Sequence, residues 1–176
     1  MDEWLEEKFL GLPITWGDDR ALTNRVLERG SHAIYTDDVQ AFTICPTTLS
    51  ALFKQQVRWK KGWFVNSLRA SRFIIKRDMF VAFTYFFPLI LVTTLAPIMA
   101  TRALIYNPIV NHTFPLYYGI GMFLVAFVIV VYYRYVSHEN KYWPYLFIWG
   151  IFNMVILSFL LFYALATIQN RRWGTR

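Results

Sequence analysis

Gln55-Gln56-Val57-Arg58-Trp59, inside the longer run Thr48-Leu49-Ser50-Ala51-Leu52-Phe53-Lys54-Gln55-Gln56-Val57-Arg58-Trp59-Lys60-Lys61-Gly62, stands where the chain changes solvent. Before it the sequence is mixed and polar, and after it almost everything is apolar. Pro46 and Thr47 introduce a helix through this stretch, with Thr47 or Thr48 as its cap. On such a helix Gln55, Arg58 and Trp59 fall at i, i+3 and i+4, so an amide, a guanidinium and an indole share one face. That trio can hold a sugar by stacking and a phosphate by a forked hydrogen bond.

Downstream, residues 48–77 are basic and amphipathic. Lys54, Arg58, Lys60, Lys61, Arg69, Arg72, Lys76 and Arg77 alternate with Trp59, Trp63, Phe64, Leu68, Phe73 and Ile74. Helices of this composition lie in the membrane interface, apolar face in lipid and cations at the headgroups. Apolar stretches follow. Residues 78–106 carry no charge between Asp78 and Arg102, and so exceed the roughly 20 residues a crossing needs. Pro88 and Pro97 are expected kinks within that span. Residues 114–134 make a second span, and the short loop from Asn107 to Thr113 lacks Lys and Arg, as expected outside. Its Asn111-His112-Thr113 sequon lies too near the membrane to weigh, and His112 and His138 read as solvated loop residues. Residues 142–169 are long enough to cross again, but a third crossing puts Arg171, Arg172 and Arg176 opposite the basic collar. Two crossings followed by an interfacial or re-entrant helix are therefore expected. The many Tyr and Trp residues of 59–163 read as interfacial anchors.

The bulk composition agrees. The chain has 176 residues, 56% of them hydrophobic and 19% aromatic, with mean hydropathy +0.34. Soluble domains run near about 45–50% apolar, so a membrane class is favoured. The net charge of +7 borders apolar spans instead of forming a separate basic domain, which argues for a lipid surface and against nucleic acid. One cysteine, Cys45, excludes an internal disulfide and a cysteine metal cluster.

Upstream, residues 1–10 read as a short helix broken by Gly11 and Pro13. Asp18 and Asp19 open a second helix with a stripe of Leu22, Val26 and Leu27 and with Gly30 just past its end. An acidic pair there caps amides and complements the helix dipole, which is the bland account of it. Residues 32–36 and 39–44 read as two short strands around an Asp37-Asp38 turn. This polar part is under 80 residues, short for an independent core. The chain is expected to be part of a larger protein.

Taken in order, four groups of residues resemble the processive, membrane-embedded family 2 glycosyltransferases, which include hyaluronan, chitin, cellulose and oligochitin synthases. They are Asp2-Glu3-Trp4 with Lys8-Phe9-Leu10-Gly11, Gly17-Asp18-Asp19-Arg20 with Leu22-Thr23-Asn24-Arg25, Gln55-x-x-Arg58-Trp59, and Trp173-Gly174-Thr175-Arg176. The second and fourth are most similar to hyaluronan synthases. The resemblance implies an α-helical membrane region, with two transmembrane helices plus interfacial or re-entrant helices, following the tail end of an α/β GT-A domain in residues 1–47. It also implies an inverting transferase that polymerises UDP-sugars into a membrane-translocated, hyaluronan-like polysaccharide. Asp19 would be the general base, with Asp18 shaping the field around it. Gln55, Arg58 and Trp59 would line the acceptor and diphosphate end of the site, and Trp173, Gly174, Thr175 and Arg176 (residues 170–176) a cytoplasmic loop that closes over the nucleotide.

The same resemblance implies Mg²⁺ or Mn²⁺ in the full enzyme, held by an Asp-x-Asp pattern. That pattern does not occur in this sequence, so no metal ligands are expected in this chain and the fragment is expected to be inactive alone. A multi-pass protein of the plasma (inner) membrane is implied, with the catalytic side and the C-terminal end cytoplasmic and with UDP-sugar, growing polysaccharide and lipid bilayer as partners. A chitin or poly-N-acetylglucosamine synthase is the alternative product class. A catalytically silent truncated membrane module is the alternative of another kind, and a small transporter is weaker because the spans carry no paired charges.

Overall fold

The computed structural model of the chain describes residues 8–9, 11–13, 17–34, 36, 38 and 42–170. Its first paired element is a minimal hairpin, β1 (Lys8–Phe9) against β2 (Leu12–Pro13), antiparallel with Phe9 opposite Leu12. The expected helix over 1–10 therefore gives way at Lys8–Phe9. Gly11, at φ 78°, takes the left-handed conformation that a two-residue hairpin link needs and a helix does not. Met1–Glu7 lie outside the described residues.

Helix α1 (Asp18–Glu28) begins at Gly17, whose φ is 81°. It ends in a Schellman motif: Gly30 N–H donates to the Leu27 carbonyl and Ser31 N–H to that of Val26. Its buried face is Ala21 and Asn24, whereas Leu22, placed by the apolar pattern on the inner stripe, is 52% exposed. Small residues won that face because α1 packs close to a second helix. After α1, the described residues of 32–36 and 39–44 form no strand. Ile34, Phe42 and Ile44 are exposed, and without a partner strand to cover them an alternating pattern has nothing to pair with. Thr36 Oγ1 donates to Asp38 Oδ2 and accepts from its N–H, a local turn.

Helix α2 (Leu49–Ala70) is capped by Thr48, whose Oγ1 accepts from Ala51 N–H at 3.2 Å. Its inner side is Lys61, Gly62, Val65, Asn66, Ser67 and Ala70. A short α3 (Ile74–Arg77) follows. Asp78 then caps α4 (Met79–Val110) through Val81 N–H at 2.9 Å. The remaining helices are α5 (Leu116–Val136), α6 (Tyr145–Val155) and α7 (Leu160–Ala166), with a 3₁₀ turn at Leu157–Phe159.

Helices α4 and α5 are long and apolar enough to cross a bilayer, and their large side chains are mostly exposed, as expected where lipid is the solvent. The helical membrane fold class is thus what the structure shows. Helix α4 runs to Val110, past the expected end at Tyr106. It widens into π turns at Ala82–Phe86 and Arg102–Tyr106, each ending two residues before a proline, Pro88 or Pro108. A proline lacks the N–H for its i−4 carbonyl and its ring crowds that carbonyl; the wider turn relieves both. Pro97 instead sits within the α-helical stretch Phe87–Thr101. Helices α6 and α7 are bent by 40° at their break.

The chain divides into two compact units, Met1–Leu91 with Leu160–Arg176, and Val92–Phe159. In the second, α5 packs on α6, where Gly150 approaches Ala126 closely enough that an added Cβ would lie 3.3 Å from the alanine's. Small residues at such a crossing let membrane helices meet. In the first, α2 packs on both α1 and α7. Lys61, only 6% exposed, donates its ammonium to the carbonyls of Thr167 at 2.6 Å and Asn170 at 3.1 Å. Burial lowers its pKa below the ordinary lysine value. The two carbonyls, just past the end of α7, make a buried cation tolerable and gain from its charge. Replacing Lys61 with Met keeps the stem and removes the donors. It is expected to cost about 2 kcal/mol and to speed hydrogen exchange in 160–170 by roughly thirty-fold; unchanged exchange would show that the clamp adds no stability.

Candidate functional site

Residues far apart in sequence meet where the start of α1 lies across α2. The approach is set by Gly17. A Cβ there would stand 2.8 Å from Asn66 Nδ2 and 3.0 Å from Gly62 Cα, besides being strained at φ +81°. Asn66, 3% exposed, donates from Nδ2 to the Gly17 carbonyl at 3.1 Å, and its own carbonyl accepts from Asn24 Nδ2 at 2.9 Å. At the other end of α1, Arg77 donates to the Leu27 carbonyl and, at 2.6 Å, to that of Ser31. Helix α1 is short, and short helices are marginal alone; these contacts hold it at both ends.

Between the two helices opens a cleft of about 490 Å³, within the range of small-ligand sites. Gly17, Asp18, Asp19 and Arg20 line it from α1, and Arg58, Trp59, Gly62 and Trp63 from α2. Both carboxylates are exposed and neither caps α1 by its side chain, the cap position being Gly17. They still stand in the first turn, where negative charge suits the dipole. Trp59 is 55% exposed, leaving a flat apolar surface open. Arg20 is half-buried, and burial lowers its pKa against the opposing pull of Asp19 and Tyr85.

Four of the expected site residues, Asp18, Asp19, Arg58 and Trp59, thus share one cleft. Gln55 is half-buried on α2 but is not among the described residues that line it; it stands about one turn nearer the helix start. Trp173, Gly174, Thr175 and Arg176 lie outside the described residues. Arg20 and Trp63 line the cleft without having been singled out, although Trp63 repeats Trp59 at the helical i+4 spacing. Among the described residues no three His, Cys, Asp or Glu side chains come together as a metal site, so these residues do not fit the implied Mg²⁺ or Mn²⁺.

Comparison with known proteins agrees with the motif reading. A hyaluronan synthase of Streptococcus pyogenes is 31% identical over 180 residues, covering 100% of this chain and 41% of that protein. The chain is similar to hyaluronan synthases over its whole length. Hyaluronan synthase 3 of Homo sapiens is 29% identical over 182 residues, covering 99% of this chain and 31% of the human protein, and hyaluronan synthase 3 of Mus musculus matches to the same extent. The chain therefore spans about two fifths, or less, of these relatives' lengths. No protein-family model and no solved structure matches it. The resemblance to processive family 2 glycosyltransferases holds along the whole chain, and with the apolar helices it makes this a membrane protein.

The close approach at Gly17 generates a direct test. Gly17→Ala adds both a left-handed-backbone penalty and a collision with backbone at Gly62. It should destabilise the first unit by at least ~2 kcal/mol, lowering the melting temperature in detergent by several degrees. An unchanged melting temperature would mean that α1 does not dock as described.

Proposed function

We propose that this chain is the acceptor-binding and membrane portion of an inverting, processive glycosyltransferase that polymerises UDP-sugars into a hyaluronan-like polysaccharide and passes it through the membrane. One observation carries the reading: the Asp18–Asp19 pair and the Arg58–Trp59 pair, on different helices, line one cleft. Trp59 offers its face to the terminal sugar of the acceptor. Asp19 takes the proton from that sugar's hydroxyl as the oxygen attacks the anomeric carbon of the donor. The bond from that carbon to the diphosphate breaks on the opposite side, inverting the centre, and UDP leaves with the bonding electron pair. Arg58 supplies paired donors to the leaving diphosphate, whose charge grows as the bond breaks. Gln55 supports this wall from one turn away.

Trp173–Arg176 is proposed as a cytoplasmic loop that closes over the nucleotide. Its root is supported by Lys61, which holds the Asn170 carbonyl against α2. Helix α2 carries Lys54, Arg58, Lys60, Lys61 and Arg69, too many charges for a crossing. Its contact with α7 therefore favours a chain that returns to the cleft's side: two crossings by α4 and α5, then a re-entrant α6–α7 pair, in the plasma membrane. By itself the chain is proposed to be inactive, since no Asp-x-Asp nucleotide-sugar pattern occurs in its sequence.

Joined to the part of the Streptococcus pyogenes relative that it does not cover, the chain should synthesise polymer. Asp19→Asn should cut that synthesis by at least ~10²-fold while membrane insertion stays intact; full activity of the variant would sink the base assignment. Topology is tested separately with Cys45→Ser and Thr175→Cys and a membrane-impermeant thiol reagent. Labelling is expected only from the cytoplasmic face, and labelling from outside alone would refute the two-crossing arrangement.

A further inference from the structure

We propose that Trp63 is a second sugar platform, so that the cleft binds two consecutive units of a β-linked oligosaccharide acceptor, the terminal one on Trp59 and the next on Trp63. This rests on the acceptor reading of the cleft given above. The two indoles are at i and i+4 on α2, displaced by about 6 Å along the axis, a step comparable to one sugar ring. Both line the cleft, and the residue between them on that wall is Gly62, whose missing side chain leaves the space between the rings open.

An indole placed only for packing is expected to be buried, with its N–H paired. Trp63 is half-buried. Among the described residues neither Trp59 nor Trp63 makes a ring contact or donates its N–H. Two apolar faces with two unspent donors suit a sugar, whose ring face is apolar and whose rim accepts hydrogen bonds. Lipid is a poorer occupant, because Asp18, Asp19, Arg20 and Arg58 stand around the same space and would be desolvated by hydrocarbon.

The test uses the full chain in detergent, with N-acetylglucosamine and a glucuronate–N-acetylglucosamine disaccharide as probes, their affinities read by saturation-transfer NMR. The wild-type chain should bind the disaccharide about fivefold more tightly, the size of one added aromatic contact. Trp63→Leu keeps the apolar bulk and removes the flat ring. It should erase that preference while leaving the monosaccharide affinity unchanged, and Trp63→Phe should keep part of it. Trp59→Ala should weaken both sugars. Full preference in Trp63→Leu overturns the second platform and leaves the acceptor reading standing, as does equal affinity of the wild type for the two sugars. Parallel loss of both sugars in Trp63→Leu overturns it in favour of packing. A wild-type chain that binds neither sugar overturns both.

Discussion

The arrangement of this protein's cleft depends on how closely two backbones approach at Gly17 and Gly62. A side chain at Gly17 would meet Asn66 Nδ2 at 2.8 Å, so glycine there sets the depth at which α1 sits on α2. Asn66 converts that proximity into direction, since its amide holds the Gly17 carbonyl and its backbone receives Asn24. The Gly17 carbonyl also accepts from Ala21 N–H, the first turn of α1. The aim of Asp18 and Asp19 is therefore a consequence of three polar contacts and one left-handed residue. A helix of 11 residues has little stability of its own, and nothing in the carboxylates themselves would hold them there.

The same logic recurs on the other side of α2. The first unit is held together internally by Asn24, Lys61 and Asn66 together with small apolar residues such as Ala21, Ala70 and Ala164, all buried. Leu161 is buried with them, but many large apolar side chains, including Leu68, Ile75, Met79 and Phe80, are exposed. That inverts the usual soluble pattern, and lipid explains it. Where hydrocarbon covers the outside, large apolar residues gain nothing by turning inward, and helices associate through small residues and hydrogen bonds. Lys61 fits this account because its ammonium is held by two carbonyls just past a helix end, where negative partial charge collects.

Long-period features were legible in the sequence and short-range geometry was not. The two apolar spans and the cap at Thr48 follow from hydropathy and side-chain chemistry, which do not need a partner to be recognised. The pairing of Gly17-Asp18-Asp19 with Arg58-Trp59 was accessible only through family resemblance, because no spacing rule connects two helices. Leu22 misled because a periodic pattern counts apolar area, whereas the close crossing selected Ala21 and Asn24 for their small size and amide chemistry. Among the described residues of 32–36 and 39–44 no strand forms, for a related reason: alternation describes a strand only where a second strand completes its hydrogen bonds. Pro88 was visible as a kink, but not the π turn that lets α4 continue past it, nor the one ahead of Pro108.

Tryptophan near a membrane has two physical meanings, and position alone does not separate them. An interfacial anchor keeps its apolar body in lipid and its N–H toward headgroups. A sugar platform needs the same amphipathic ring facing a polar, enclosed space. On α2 the neighbours favour the platform. Trp59 and Trp63 share their cleft with two carboxylates and two guanidiniums, and filling that space with acyl chains would strip water from four charged groups without replacing it. An oligosaccharide can replace that water with hydroxyls while covering both indoles. In the function proposed above, the basic collar would serve twice: outward cations and apolar residues at the bilayer surface, and an inner aromatic wall toward the acceptor.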